Sequence, residues 1–251
     1  MRPNSAKRKL QAGESVTCGW LSIPSSYSAE IVARQGFDCV NVDLQHAMTG
    51  FETAVAMLQA IATTDAIPLA RAGSRDPEPM MKLLDAGAYG IICPMISTAA
   101  EAESFVDACR YPPVGSRSFG PARGLLYGGP DYVTGANDEI LTIGMIETRQ
   151  GVENVDAIAA VAQLDALFIG PNDLCMDYGK APKAESDDPE VVSAIARVLE
   201  AGDRAGKPVG IFCSSADAAI QRQTEGFRFL VPGSDANILT AVTRDAVTKL
   251  R

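Results

Sequence analysis

Apolar residues along this chain gather in eight short, nearly unbroken runs, at 17–23, 39–43, 67–70, 90–93, 141–147, 166–170, 208–213 and 227–231. Runs of that length, rich in Val, Ile, Leu and Phe with little polar alternation, predict strands of a parallel sheet covered on both faces. Between them the apolar positions take up helical spacing, at 28–35, 51–62, 78–86, 99–110, 152–162, 189–205, 216–224 and 235–250. Two of these helices carry start signals. Thr98 stands three residues before Glu101, the spacing of a capping box. Asp188 precedes Pro189, an N-cap followed by proline at the first helical position. Strand and helix alternating eight times predict one (β/α)₈ barrel domain spanning 1–251. One connection, 111–139, is long and rich in Gly and Pro. It predicts an irregular excursion, either a lid in which residues 116–123 close over a site or a structural segment at an interface.

A barrel of this kind carries its chemistry at the C-terminal ends of its strands. Polar residues concentrate there: Asp43-Leu44-Gln45-His46 after the second run, Arg71 after the third, Glu147-Thr148-Arg149 at the end of the fifth, Gly170-Pro171-Asn172-Asp173 after the sixth and Gly233-Ser234-Asp235 after the eighth. Glu147 and Asp173 end consecutive strands, which lie about 4.8 Å apart. Two bare carboxylates that close repel each other, and either one takes up a proton or a cation sits between them. Oxygen donors without clustered Cys or His select a hard divalent ion, Mg²⁺ or Mn²⁺. The competing arrangement pairs each carboxylate with an arginine such as Arg71 or Arg149. His46 is the only histidine, and imidazole exchanges protons near neutral pH. It is either a structural residue or a base oriented by a carboxylate, with Asp43 and Asp85 as candidates. Arg71 offers a cationic fork to a carboxylate or a developing enolate, or else a salt bridge to an acid at the barrel mouth. The seven lysines all lie away from the C-terminal ends of the strand runs, which disfavours a Schiff base.

Composition narrows the partners. With 22 basic against 31 acidic residues the chain carries a net charge of −9, which repels phosphate backbones and anionic lipid. Nucleic acid and membrane are therefore not expected partners. No apolar run is long enough to span a bilayer, and no signal peptide is visible. Six scattered cysteines without a CxxC pair suit reduced, buried thiols and a cytoplasmic location.

Ordered along the chain, Asp43-Leu44-Gln45-His46, Leu69-Ala70-Arg71, Asp85-Ala86-Gly87-Ala88, Cys93-Pro94-Met95, Tyr111-Pro112-Pro113-x-Gly115-x-Arg117, Ile146-Glu147-Thr148 and Ile169-Gly170-Pro171-Asn172-Asp173-Leu174 resemble the HpcH/HpaI aldolases, metal-dependent class II pyruvate aldolases. The resemblance covers roughly residues 10–245. It implies a TIM barrel of the phosphoenolpyruvate/pyruvate superfamily. It also implies cleavage of 4-hydroxy-2-oxo acids to pyruvate, or a related 2-oxo acid, and an aldehyde. By that resemblance Glu147 and Asp173 hold the divalent metal, with Co²⁺ or Zn²⁺ as further candidates. His46 is the base, Arg71 stabilises the transition state, and Asp85 from a neighbouring subunit raises the basicity of the histidine. Substrate contacts fall on Met145, Gly170, Pro171 and Asn172, with the N–H groups of Asp173 and Leu174 on the carboxylate; Trp20, Phe168 and Phe212 either line the aldehyde side or are ordinary core aromatics. A homohexamer, a trimer of dimers with the last helix exchanged between partners, is implied too. Two positions depart from the family pattern: Gln45 where glutamate is common, and Met145 where glutamine is common. Methionine cannot replace an amide's hydrogen bonds, so direct substrate binding at 145 is in doubt. Two further readings are an acyl-CoA ester lyase using the same acid pair, with Arg117, Arg123 and Arg149 as a groove for the CoA phosphates, and a non-catalytic barrel that binds an acidic metabolite.

Overall fold

The computed structural model describes residues 1–251. Eight strands, β1 (Val16–Leu21), β2 (Cys39–Asp43), β3 (Ile67–Arg71), β4 (Gly90–Cys93), β5 (Leu141–Ile146), β6 (Ala166–Ile169), β7 (Val209–Phe212) and β8 (Phe229–Val231), close into one parallel barrel in sequence order. The helices are α1 (Ser5–Gln11), α2 (Ser26–Ala33), α3 (Phe51–Ile61), α4 (Pro77–Asp85), α5 (Ala99–Cys109), α6 (Ala122–Gly128), α7 (Tyr132–Glu139), α8 (Arg149–Glu153), α9 (Val155–Ala159), α10 (Pro171–Asp177), α11 (Pro189–Ala205), α12 (Ala216–Glu225) and α13 (Asp235–Lys249). The strands are buried almost throughout, which is why their sequences run apolar instead of alternating. All six cysteines are free and buried. No helix is long and apolar enough to cross a membrane.

Both start signals form as the spacing predicts. Thr98 and Glu101 make the reciprocal capping box of α5, and Asp188 accepts the Glu190 N–H to open α11 on Pro189. The helix expected over 152–162 is instead two short ones, α8 and α9, joined at Asn154, whose side chain donates to the Ser97 carbonyl.

Of the two alternatives for segment 111–139, the structure does not show the lid. The segment folds into α6 and α7, and it does not cover the barrel mouth. Burial of aromatic and cationic side chains holds it down. Tyr132 is fully buried, with its ring 6.3 Å from that of Tyr89. Arg117, 1% exposed, donates to Asp85 at 2.7 Å and lies over the rings of Tyr111 and Tyr132. Arg123 donates to the Ala86 carbonyl. Segment 116–123 is therefore strapped to the C-terminal end of α4.

α13 is the reverse case. Of its residues only Asp235 is buried. Ile238, Leu239 and Val242 stay exposed and, with Ile23, Tyr27 and Ile31, line an apolar groove of about 510 Å³.

Candidate active site

Register sets the mouth of the barrel. Residues paired across parallel strands share a face. The pairing of Asp43 with Arg71 between β2 and β3 therefore puts both side chains on one level at the C-terminal end. Their contact is bidentate: Arg71 Nε donates to Asp43 Oδ1 at 2.8 Å and Nη2 to Oδ2 at 2.5 Å. Nη1 is left without a protein acceptor and Arg71 lies 4.8 Å over the Trp20 ring. Burial alone would raise the Asp43 carboxyl, but Arg71 and the N–H groups of Gln45 and His46 hold it below its ordinary value.

Glu147 and Gly170 follow the paired residues Ile146 and Ile169 of β5 and β6, one step further up the barrel. A Cβ at position 170 would stand 2.5 Å from Glu147 Oε1. The glycine is thus the space that the carboxylate occupies. Glu147 is 1% exposed. Burial pushes its carboxyl up to about 7; the Met95 N–H, donating to Oε2 at 2.8 Å, opposes this, and the charge of Asp173 adds to it. Neither Glu147 nor Asp173 is paired with an arginine or lysine: Arg71 is engaged by Asp43, and Arg149 lies over the Tyr178 ring at 4.1 Å.

These groups line one cavity of about 230 Å³ at the C-terminal ends of the strands, a size that suits a small substrate. Of the residues singled out from sequence, Trp20, Asp43, His46, Arg71, Met145, Glu147, Phe168, Gly170, Pro171, Asn172, Asp173 and Phe212 meet there. Phe168 is stacked 5.9 Å from Trp20, while Phe212 meets Trp20 edge-on at 5.6 Å.

Two expectations need correction. Asp43 does not orient the His46 ring; both its oxygens are taken by Arg71, and it receives the His46 backbone N–H as a loop cap. Leu174 is fully buried and its N–H is spent on the Gly170 carbonyl inside α10. The N–H groups of Asn172 and Asp173, by contrast, have no acceptor in the protein. Within its own chain Asp85 lies outside the cavity lining and accepts from Arg117. Its carboxyl is raised by burial, against the pull of Arg117. Of the arginines considered for CoA phosphates, Arg117 is held by Asp85 and Arg123 by the Ala86 carbonyl, while Arg149 is exposed over the Tyr178 ring.

Ser22 and Asn237 line the cavity without having been singled out, and Ser234 joins them from the loop after β8. Their signal is positional: Ser22 follows β1 directly, and Asn237 sits in the first turn of α13, which Ser234 caps.

The family model described as HpcH/HpaI aldolase/citrate lyase matches residues 17–241. The chain is 42% identical over 248 residues to a hydroxypyruvate/pyruvate aldolase of Rhizorhabdus wittichii, covering 99% of each. It is 37% identical over 239 residues to a 4-hydroxy-2-oxo-heptane-1,7-dioate aldolase of Escherichia coli, covering 94% of this chain and 90% of that one. A solved structure from Burkholderia cenocepacia, an HpcH/HpaI aldolase/citrate lyase family protein, superposes with a TM-score of 0.93 at 34% identity, over 99% of both chains.

Proposed function

This chain belongs to the HpcH/HpaI aldolase/citrate lyase family, and on that premise we propose that it is a class II pyruvate aldolase. It cleaves 4-hydroxy-2-oxo acids to pyruvate, or a related 2-oxo acid, and an aldehyde, and runs the addition in reverse. The observation that carries this reading is the arginine-free pair of buried Glu147 and half-buried Asp173 at the barrel mouth. The names of the two relatives support a 2-oxo acid substrate.

Glu147 and Asp173 would hold a divalent ion, Mg²⁺ or Mn²⁺ before Co²⁺ or Zn²⁺. The donor set fits: two carboxylate ligands, one of them pushed toward protonation by burial and by the other's charge, suit a hard cation. No third His, Cys, Asp or Glu completes a cluster, so the remaining ligands come from water and substrate. When bound, the ion supplies Lewis acidity toward the carboxylate and ketone oxygens of a 2-oxo acid.

The chain's own side chains do the rest. His46, exposed at the cavity rim, takes the C3 proton in the addition direction. Arg71, locked by Asp43 with Nη1 unspent, donates to the oxygen on which negative charge develops, a donor fixed before the reaction. The free N–H groups of Asn172 and Asp173 hold the substrate carboxylate. Gly170 and Pro171 shape that side of the cavity, and Met145 closes its floor as an apolar surface. Trp20 and Phe212 face the aldehyde. In assays that couple pyruvate release from 4-hydroxy-2-oxo acids to lactate dehydrogenase, turnover should stop in EDTA and return with Mn²⁺ or Mg²⁺. Full turnover in chelator, with a pyruvate adduct trapped by borohydride, contradicts the reading.

The unburied apolar side of α13 and the groove beside it support a homo-oligomer, a hexamer built as a trimer of dimers with α13 exchanged. Asp85, whose side chain is 25% exposed, would orient His46 of the partner subunit there. Light scattering should give the mass of six chains, and a monomer in solution contradicts this part of the reading.

A further inference from the structure

We infer that Arg75 is a positioning residue for the metal site, acting through the backbone of Met95. The inference rests on the reading of Glu147 as a metal ligand. Met95 has φ +58°, a left-handed conformation that a side-chain-bearing residue keeps only when its surroundings impose it. Two contacts grip it from opposite sides. Its N–H donates to Glu147 Oε2 at 2.8 Å, and its carbonyl accepts from Arg75 Nη1 at 2.6 Å.

Arg75 is itself anchored. Its Nη2 lies 3.0 Å from Glu101 Oε1, while Glu101 Oε2 accepts the N–H groups of Ser97 and Thr98. A series of contacts therefore runs from the capping box of α5, through one guanidinium, to the strained residue and on to the carboxylate. A planar guanidinium suits this task, because it serves two acceptors at a fixed angle. The following residue, Ile96, is already tied to β5 by its N–H, which donates to the Met145 carbonyl at 2.9 Å. The setting of the Met95 peptide is what Arg75 adds. Arg75 is 44% exposed and lies outside the cavity lining, so it touches neither substrate nor ion.

Positioning and simple electrostatics predict opposite signs. Removing a cation near the site should tighten binding of Mn²⁺ if charge alone matters. If Arg75 holds Glu147 in place through Met95, the same change should weaken it. The test is a Mn²⁺ titration read by the EPR signal of the free ion, on wild type, Arg75→Met, Arg75→Gln, Arg75→Lys and Glu147→Gln, with thermal melts in chelator as the control for folding. Outer-shell partners of metal ligands are worth about 10–100-fold in affinity, so Arg75→Met should raise the Kd roughly 10-fold. Arg75→Gln, too short to span both acceptors, should do the same, and Arg75→Lys, which keeps a donor for the carbonyl, should recover most of the loss. A Kd in both Arg75→Met and Arg75→Gln that is unchanged or tighter, while Glu147→Gln loses the ion, overturns the inference alone. A lowered melting point with unchanged Kd does so too, because it leaves Arg75 a merely structural role. Wild-type affinity in Glu147→Gln overturns the metal-site reading, and the inference with it.

Discussion

Glu147→Gln should lose Mn²⁺ binding by at least about 100-fold, since even outer-shell partners of a metal are worth 10–100-fold. Its kcat/KM for pyruvate release should fall by roughly 10³, the scale of losing one electrostatic stabiliser or more. The amide is nearly the same shape as the carboxylate and sits in the same space beside Gly170, so the fold should survive. The metal-free protein should become more stable, and the pH dependence gives the reason. The Glu147 carboxyl is raised from an ordinary 4.5 to about 7 by burial. Below about 4.5 the group is protonated in folded and unfolded chains alike, and it carries no penalty. Between about 4.5 and 7 the unfolded chain releases the proton while the folded one keeps it, so stability falls as pH rises. Above about 7 the full cost of a buried carboxylate is present, of order 3 kcal/mol for a shift of that size. Melts of metal-free wild type should therefore decline across this window, those of Glu147→Gln should decline less, and added Mn²⁺ should stabilise wild type most at the upper end. Identical melting profiles for the two metal-free proteins would falsify the assignment of that penalty to Glu147.

His46→Ala carries the second large effect. General bases are worth about 10²–10⁴ in rate, and kcat should drop within that range while Mn²⁺ affinity stays at the wild-type value. A measurement that isolates the proton step is exchange of the C3 hydrogens of pyruvate in D₂O, followed by NMR without any aldehyde. Wild type should exchange them and His46→Ala should not. Wild-type exchange rates in the variant would transfer the role to another group. Asp43 does not serve: both its oxygens are committed to Arg71.

Much of this architecture is written in the chain because burial is written there. Strands buried on both faces must be apolar along their length, so all eight begin and end within two residues of the runs that predict them. The elements that escape the pattern are held by other means. α1 has a polar, basic sequence and is fastened by Asn4, whose side chain caps it and donates to the carbonyls of Tyr89 and Glu139. α10 begins on Pro171 immediately after β6 and merges with that apolar run. α6 and α7 sit among glycines and prolines that read as loop, and buried Tyr132 and Arg117 stabilise them. At the site, Glu147 and Asp173 are legible because acids at strand ends have few structural reasons to be there. The Asp43–Arg71 pair is less so: the partners lie 28 residues apart and only strand register brings them together. The roles of Met95 and Arg75 are invisible in sequence, since they depend on a backbone angle and on a carbonyl, neither of which a residue type announces.

The most direct test is anomalous diffraction from crystals soaked with Mn²⁺ and pyruvate. One manganese peak per chain, in contact with the carboxylates of both Glu147 and Asp173 and with pyruvate, is the predicted result. A mouth without manganese, or an ion bound where those two side chains turn away from each other, contradicts the account.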